Sequence, residues 1–190
     1  MNQYLAMDIE TGGFGHDKAL LSAYFLVLDD KFEPVEGLML LLKPDDGIYH
    51  VTAEALSVNR IDLVQHDKAA IYLKDAGTVL YEFFQRMNPL GATKLIPIGH
   101  NVPFDIEFVK AKIMSAGTWS KFVSYRMLDT GVIGQALRAT NLLPTSVSGS
   151  LGSLASHFDV PVKNAHTADG DVMMTVGVLK KMLELIKLGN

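Results

Sequence analysis

The apolar run Tyr4-Leu5-Ala6-Met7-Asp8-Ile9-Glu10 ends in two carboxylates, immediately ahead of Thr11-Gly12-Gly13. As a strand it places Tyr4, Ala6, Asp8 and Glu10 on one face and Leu5, Met7 and Ile9 on the other. The two acids then stand side by side, about 6.7 Å apart along the strand. At an effective dielectric near 20, two full charges at that separation repel by roughly 2.5 kcal/mol. A fold that keeps this arrangement needs something cationic between the carboxylates, and a divalent metal is the simplest candidate.

Composition narrows what that cation can be. The chain has no cysteine, so a metal must sit on oxygen or imidazole. With 190 residues, 48% of them hydrophobic and 20% charged, a single globular domain over residues 1–190 is expected. The net charge of −4 argues against a protein that grips long nucleic acid with a basic face. It permits one that binds a short end through metal, since two divalent cations would cancel it. No apolar stretch approaches the ~20 residues that span a bilayer, and no leader is read at the N-terminus; a cytoplasmic protein with no membrane partner is expected.

Along the chain, residues 19–28 read as a buried strand and 36–43 as another, closed by the turn Pro44-Asp45-Asp46-Gly47. A short helix is predicted from Thr52 (N-cap) through Val58, and a long one from Asp67 to Met87. Residues 94–99 form a short strand, in which Pro97 predicts incomplete pairing with a neighbour. Asn101 then caps a helix with Pro103 in its first turn. Residues 123–128 form a weak last strand, followed by helices over 130–139, 150–158 and 168–188. Strands first, then alternating helices and strands, indicate an α/β fold with a mixed sheet.

Helical periodicity supplies independent evidence. On a wheel of 100° per residue, Asp171 falls on the side of Val172, Leu179, Met182 and Ile186, whereas Asp169 joins the solvent side with Lys180 and Glu184. Asp105 likewise shares a face with Ile106, Val109 and Ile113, while Glu107 faces water. A buried carboxylate must be paired, neutral or bound to a cation. Asp8, Glu10, Asp105 and Asp171 all point inward without a comparable set of inward basic residues. A shared metal site accounts for them, and oxygen-only ligation selects Mg²⁺ or Mn²⁺.

Three segments carry a resemblance. Asp8-Ile9-Glu10-Thr11-Gly12-Gly13 resembles the first motif of the DEDDh 3′–5′ exonucleases, Gly99-His100-Asn101-Val102-Pro103-Phe104-Asp105 the second, and His166-Thr167-Ala168-Asp169-Gly170-Asp171 the third. Residues 52–61 are similar to a substrate-side segment of RNase T-like and phage members. The family also includes oligoribonuclease and the epsilon proofreading subunit of bacterial replicative polymerases. The resemblance implies an RNase H-like fold, a five-stranded mixed sheet flanked by helices. It implies that Asp8, Glu10, Asp105 and Asp171 hold two Mg²⁺ or Mn²⁺ ions and that His166 is the general base. The implied reaction is metal-dependent release of nucleoside 5′-monophosphates from the 3′ ends of single-stranded DNA or RNA. RNase T-like members also imply a homodimer.

The same resemblance puts backbone around Thr11, Gly12 and Gly13 against the terminal sugar and base. Phe14, Val58, Asn59 and Ile61 are candidate contacts to the last nucleotides, and Arg60 and Lys163 to phosphates. His100 is expected to order the backbone rather than ligate, and Asp129 to cap a helix. His16, His50, His66 and His157 read as surface or packing residues; Met173, Met174 and Met182 read as core. Two rivals are weighed. In a Rossmann-type reading, Gly13-Phe14-Gly15 would cradle a pyrophosphate and Asp29 a ribose. Lys18 occupies the third glycine position, however, and Asp8 and Glu10 would repel the pyrophosphate. A non-catalytic nucleic-acid-binding or polymerase-accessory module on the same fold is the alternative function, against which all five chemical positions are intact.

Overall fold

The computed structural model describes residues 3–88, 93–162 and 166–188. In chain order its elements are β1 (Tyr4–Thr11), β2 (Leu20–Leu28), β3 (Pro34–Lys43), α1 (Ala53–Asn59), α2 (Leu63–Ala69), β4 (Ile71–Tyr72) and α3 (Leu73–Met87). There follow β5 (Ile96–Gly99), α4 (Val102–Lys112), α5 (Ala116–Phe122), β6 (Leu128–Asp129), α6 (Thr130–Ala139), α7 (Leu151–His157) and α8 (Ala168–Leu188). The sheet runs β4-β3-β2-β1-β5-β6. Strands β1, β2 and β3 form an antiparallel meander; β5 pairs parallel with β1, and β6 parallel with β5.

The alternation read from β1 sorts the core. Leu5, Met7 and Ile9 pack with Phe25, Phe84, Val102, Phe108 and Trp119 on the face covered by α3, α4 and α5. Ala6, Leu26, Leu28 and Ile98 pack on the other face against Val172, Val176 and Leu179 of α8. Helices α6 and α7 close a further apolar cluster on the outer side of α8, built on Leu137, Leu154, Met174, Val178 and Met182. Met173 is 51% exposed and is not core, because it falls two residues from Asp171 on the polar side of the wheel.

Other expectations need correction. The sheet has six strands among the described residues, not five, because the helix expected over 67–87 is broken. Ala70 ends α2 in an extended conformation, and Ile71 and Tyr72 pair parallel with Leu42 and Lys43. The lysines at 43 and 74 then cover the Tyr72 ring, their ammonium groups 4.8 and 5.0 Å from its centre. Helix α5 was not expected; Ser115 caps it and it buries Trp119 and Phe122. The strand expected over 123–128 is only a bridge between Leu95 and Val123 plus the two-residue β6 (Leu128–Asp129). Pro97 behaves as expected, since the ladder to β6 begins only at Ile98. Lys163 lies outside the described residues. Among the described residues, no helix is long and apolar enough to cross a membrane.

Candidate active site

β1 outruns its parallel neighbour. The β1–β5 ladder ends at the pair Ala6–Ile98, so Asp8 and Glu10 stand beyond it with an open flank. On the antiparallel side they are paired with Tyr24 and Ser22 of β2. Into the open flank α8 brings Asp171. One carboxylate oxygen each from Asp8, Glu10 and Asp171 lies within 4.8 Å of the others.

Asp105 arrives from the opposite face of the sheet. It sits in the first turn of α4, which packs on β1 beside Leu5, Met7 and Ile9, and is 4% exposed. Its carboxylate takes backbone hydrogen bonding from its own amide and that of Ile9, and its charge acts on Asp8 and Glu10. It is not one of the three mutually close acids. The four carboxylates thus meet at the end of one strand from both sides of the sheet.

Their electrostatics follow from that crowding. Burial pushes the Asp8 carboxyl well above the usual carboxylate range, with Asp105, Asp171 and Glu10 adding to it. Burial first and Asp171 second push Glu10 up to about 8. Asp105 is also raised by burial, against the two backbone hydrogen bonds and with Asp129 and Glu10 adding to it. Asp171 is raised by burial, opposed by the His166 N–H, by His166 and His100, and reinforced by Asp169. Among the described residues, no lysine or arginine forms an ion pair with any of the four. An all-oxygen donor set of this charge suits a hard divalent cation, which is the test that a metal-binding reading has to pass.

His166 stands exposed on the turn before α8, in left-handed backbone (φ 66°). Its amide N–H donates to Asp171 Oδ1 at 3.3 Å, tying the turn to the acid. Asp169 is half-buried rather than solvent-facing: the first turn of α8 leans over β2, so that the Tyr24 phenol is raised first by burial and then by Asp169.

The second motif is held in an unexpected way. Asn101 occupies the N-cap position of α4, but in left-handed backbone (φ 63°) and with no side-chain cap. Asp129 supplies the cap instead. Its Oδ2 accepts from the Val102 N–H at 2.9 Å, while Oδ1 caps its own helix α6 through Gly131 and Val132 at 2.9 and 3.1 Å. Thr130 completes the clasp, donating to the Gly99 carbonyl at 3.2 Å. That leaves the Thr130 hydroxyl oxygen to accept from His100 Nδ1 at 2.9 Å. The His100 ring thus bonds the Thr130 side chain, and it is Thr130 that holds the Gly99 backbone.

Next to Glu10 lies a cleft of about 560 Å³, lined by the expected Thr11, Gly13, Phe14, Val58 and Asn59. Phe14 is 91% exposed, and its ring meets Phe104 edge-on at 6.1 Å. Asn59 is committed to structure: its amide donates to the Thr11 carbonyl at 3.2 Å, and its carbonyl accepts from Ile61 N–H at 3.1 Å. Gly12 and Ile61 do not line the cleft. Gly12 is packed beneath it, where an added Cβ would collide with the His50 carbonyl oxygen, and its own carbonyl accepts from Thr52 N–H at 2.7 Å. Together the Asn59 and Thr52 bonds fix α1 as the cleft wall. Lys18 and Phe104 also line it and were not singled out from sequence. Phe104 was signalled by its place beside Asp105; Lys18 had no motif to mark it.

No protein-family model matches this chain. Over 87 residues it is 30% identical to the 3′-5′ exonuclease DinG of Staphylococcus epidermidis and 31% identical to that of Staphylococcus haemolyticus. These matches cover 46% of this chain and 9% of each relative. Among solved structures, E. coli exonuclease I in complex with a dT13 oligonucleotide superimposes with a TM-score of 0.73 at 19% identity, over 99% of this chain and 43% of that one. The zinc-ion-bound form of the E. coli enzyme with single-stranded DNA gives 0.74 at 20% identity, over 100% of this chain and 41% of the other. Exonuclease I from Methylocaldum szegediense gives 0.73 at 18% identity, over 97% and 41%. The chain thus has the fold of exonuclease I and, over 87 residues, shares sequence at low identity with the 3′-5′ exonuclease DinG.

Proposed function

We propose that this chain is a metal-dependent 3′–5′ exonuclease domain that removes nucleoside 5′-monophosphates from the 3′ end of single-stranded DNA. The observation that carries this reading is the meeting of Asp8, Glu10 and Asp171 within 4.8 Å, with no lysine or arginine paired to them among the described residues, beside a nucleotide-sized cleft. The DNA-bound exonuclease I structures with the same fold support DNA as the substrate class.

In this reading Asp8, Glu10, Asp105 and Asp171 hold two Mg²⁺ or Mn²⁺ ions. When bound, such ions lower the pKa of a water and neutralise charge on the departing 3′ oxygen. The protein's own groups do the rest. An imidazole nitrogen of His166 takes the proton of the attacking water, a role that suits histidine as a residue type that titrates near neutrality. The phosphorus–oxygen bond to the penultimate sugar breaks, leaving a new 3′-hydroxyl that takes up a proton. Backbone at Thr11 and Gly13 approaches the terminal nucleoside, and Phe14 and Val58 offer apolar surface to its base. His166 is tied to the site through its amide, so its exposed ring can turn toward the cluster without losing its anchor.

The test is a 5′-labelled single-stranded deoxyribo-oligomer incubated with the chain. A stepwise ladder and nucleoside 5′-monophosphate, seen with Mg²⁺ or Mn²⁺ and abolished by EDTA, is expected. Tight binding without turnover would instead make the chain a binding module. A matched ribo-oligomer series measures the sugar preference.

A further inference from the structure

We propose that Lys18 is the cleft's phosphate contact, its ammonium receiving a phosphodiester of the bound strand other than the scissile one. The inference deepens the nuclease reading and rests on it. Among the described residues lining the cleft, Lys18 is the one basic side chain, set against two carboxylates, Glu10 and Glu54, and apolar walls. A polyanionic strand entering such a cleft needs a fixed positive charge away from the acid cluster. The Lys18 ammonium pairs with Asp17 and with neither Glu10 nor Glu54.

The local fold lays the stem of this side chain along the cleft, with the ammonium turned to Asp17 in the adjoining hollow. The loop after β1 closes with Lys18 N–H donating to the Gly15 carbonyl at 3.0 Å, and the next amide, Ala19, donates to the His50 carbonyl at 2.9 Å. The stem then crosses Gly13, where an added Cβ would stand 3.3 Å from Lys18 Cγ and 3.6 Å from Cδ. Gly13 has φ +148°, so neither its backbone nor its space favours a larger residue there. Lys18 Nζ donates to Asp17 Oδ2 at 2.6 Å, and the side chains are 29% and 71% exposed. An ion pair that open contributes little, and its ammonium exchanges readily onto a phosphate. Asp17 lines the adjoining hollow and not the cleft, so the ammonium leaves Asp17 to meet the strand, and the two compete for it.

Two substrates separate this contact from the chemistry: a 5′-labelled single-stranded oligodeoxynucleotide, and the p-nitrophenyl ester of thymidine 5′-monophosphate, which has a single phosphorus. For Lys18→Gln, kcat/KM on the oligomer should fall about 5- to 10-fold more than on the chromogenic diester. The slope of log kcat/KM against log salt should become shallower by about 0.7, the value of one single-strand phosphate contact. Lys18→Arg should restore both. Asp17→Asn should move the oligomer in the opposite direction, raising kcat/KM, which a merely structural role for the loop would not produce. Lys181→Gln, an exposed charge on α8, should change neither substrate. Equal losses on both substrates, an unchanged salt slope, or an Asp17→Asn variant that falls like Lys18→Gln would overturn the assignment alone. Failure of the wild-type chain to turn over either substrate would overturn the nuclease reading and this one with it.

Discussion

Without divalent cations, the protein should lose stability as pH rises from about 4.5 to about 8. Asp8, Glu10, Asp105 and Asp171 all have carboxyls held above their ordinary range, with burial the first cause in each. A group whose folded-state pKa is raised favours the native state at low pH, and that contribution is lost as pH climbs through the folded value. For Glu10 the window opens near 4.5 and closes near 8. Taken alone it sets an upper bound of about 5 kcal/mol. Solvent around a half-buried group reduces that to roughly 2–3 kcal/mol. In a chain of this size the melting temperature should then drop by about 5–10 °C across the interval in EDTA. Adding Mn²⁺ at about 100 times its dissociation constant should return about 2.7 kcal/mol at the upper end. Asp8→Asn removes one charge of the cluster and should flatten the pH dependence. Thermal melts monitored by circular dichroism give all three curves. A melting temperature that stays level or rises over this range in EDTA would mean instead that basic side chains already neutralise the acids.

Further outcomes are expected. Asp8→Ala or Asp171→Ala should abolish metal-dependent turnover while the far-ultraviolet spectrum stays native; residual metal-dependent cleavage in either would remove that acid from the site. His166→Ala should lower kcat roughly 10²–10⁴-fold, and wild-type rates would remove the proposed base. Asp129→Ala strips acceptors from the first turns of both α4 and α6 and should cost about 2–3 kcal/mol in urea unfolding, whereas a loss below about 0.5 kcal/mol would show that the clasp is dispensable.

Much of the site was legible because its signals are local. Period-two alternation puts Asp8 and Glu10 on one face of β1, and helical periodicity turns Asp105 and Asp171 inward; both hold in the structure. What periodicity cannot supply is the side of the sheet each helix takes. The approach of Asp105 from the face opposite α8 follows from the β5–α4 connection, a tertiary fact. The misread elements share that origin. Nothing in residues 63–73 breaks a helix locally, and β4 exists because Ile71 and Tyr72 find partners on the β3 edge. Asn101 is a good capping residue by type, yet its left-handed backbone turns the task over to Asp129, 28 positions later in the chain. Lys18 stayed hidden because it lies outside the three motifs; its place in the cleft is set by how the loop after β1 folds back on His50.

Crystals grown with Mn²⁺ and measured at its absorption edge decide whether these acids come together to hold divalent cations. The expected result is anomalous density between the carboxylates of Asp8, Glu10 and Asp171, reaching toward Asp105. A cluster with no such density at millimolar Mn²⁺, or with a lysine or arginine side chain lodged among the four acids, would contradict it.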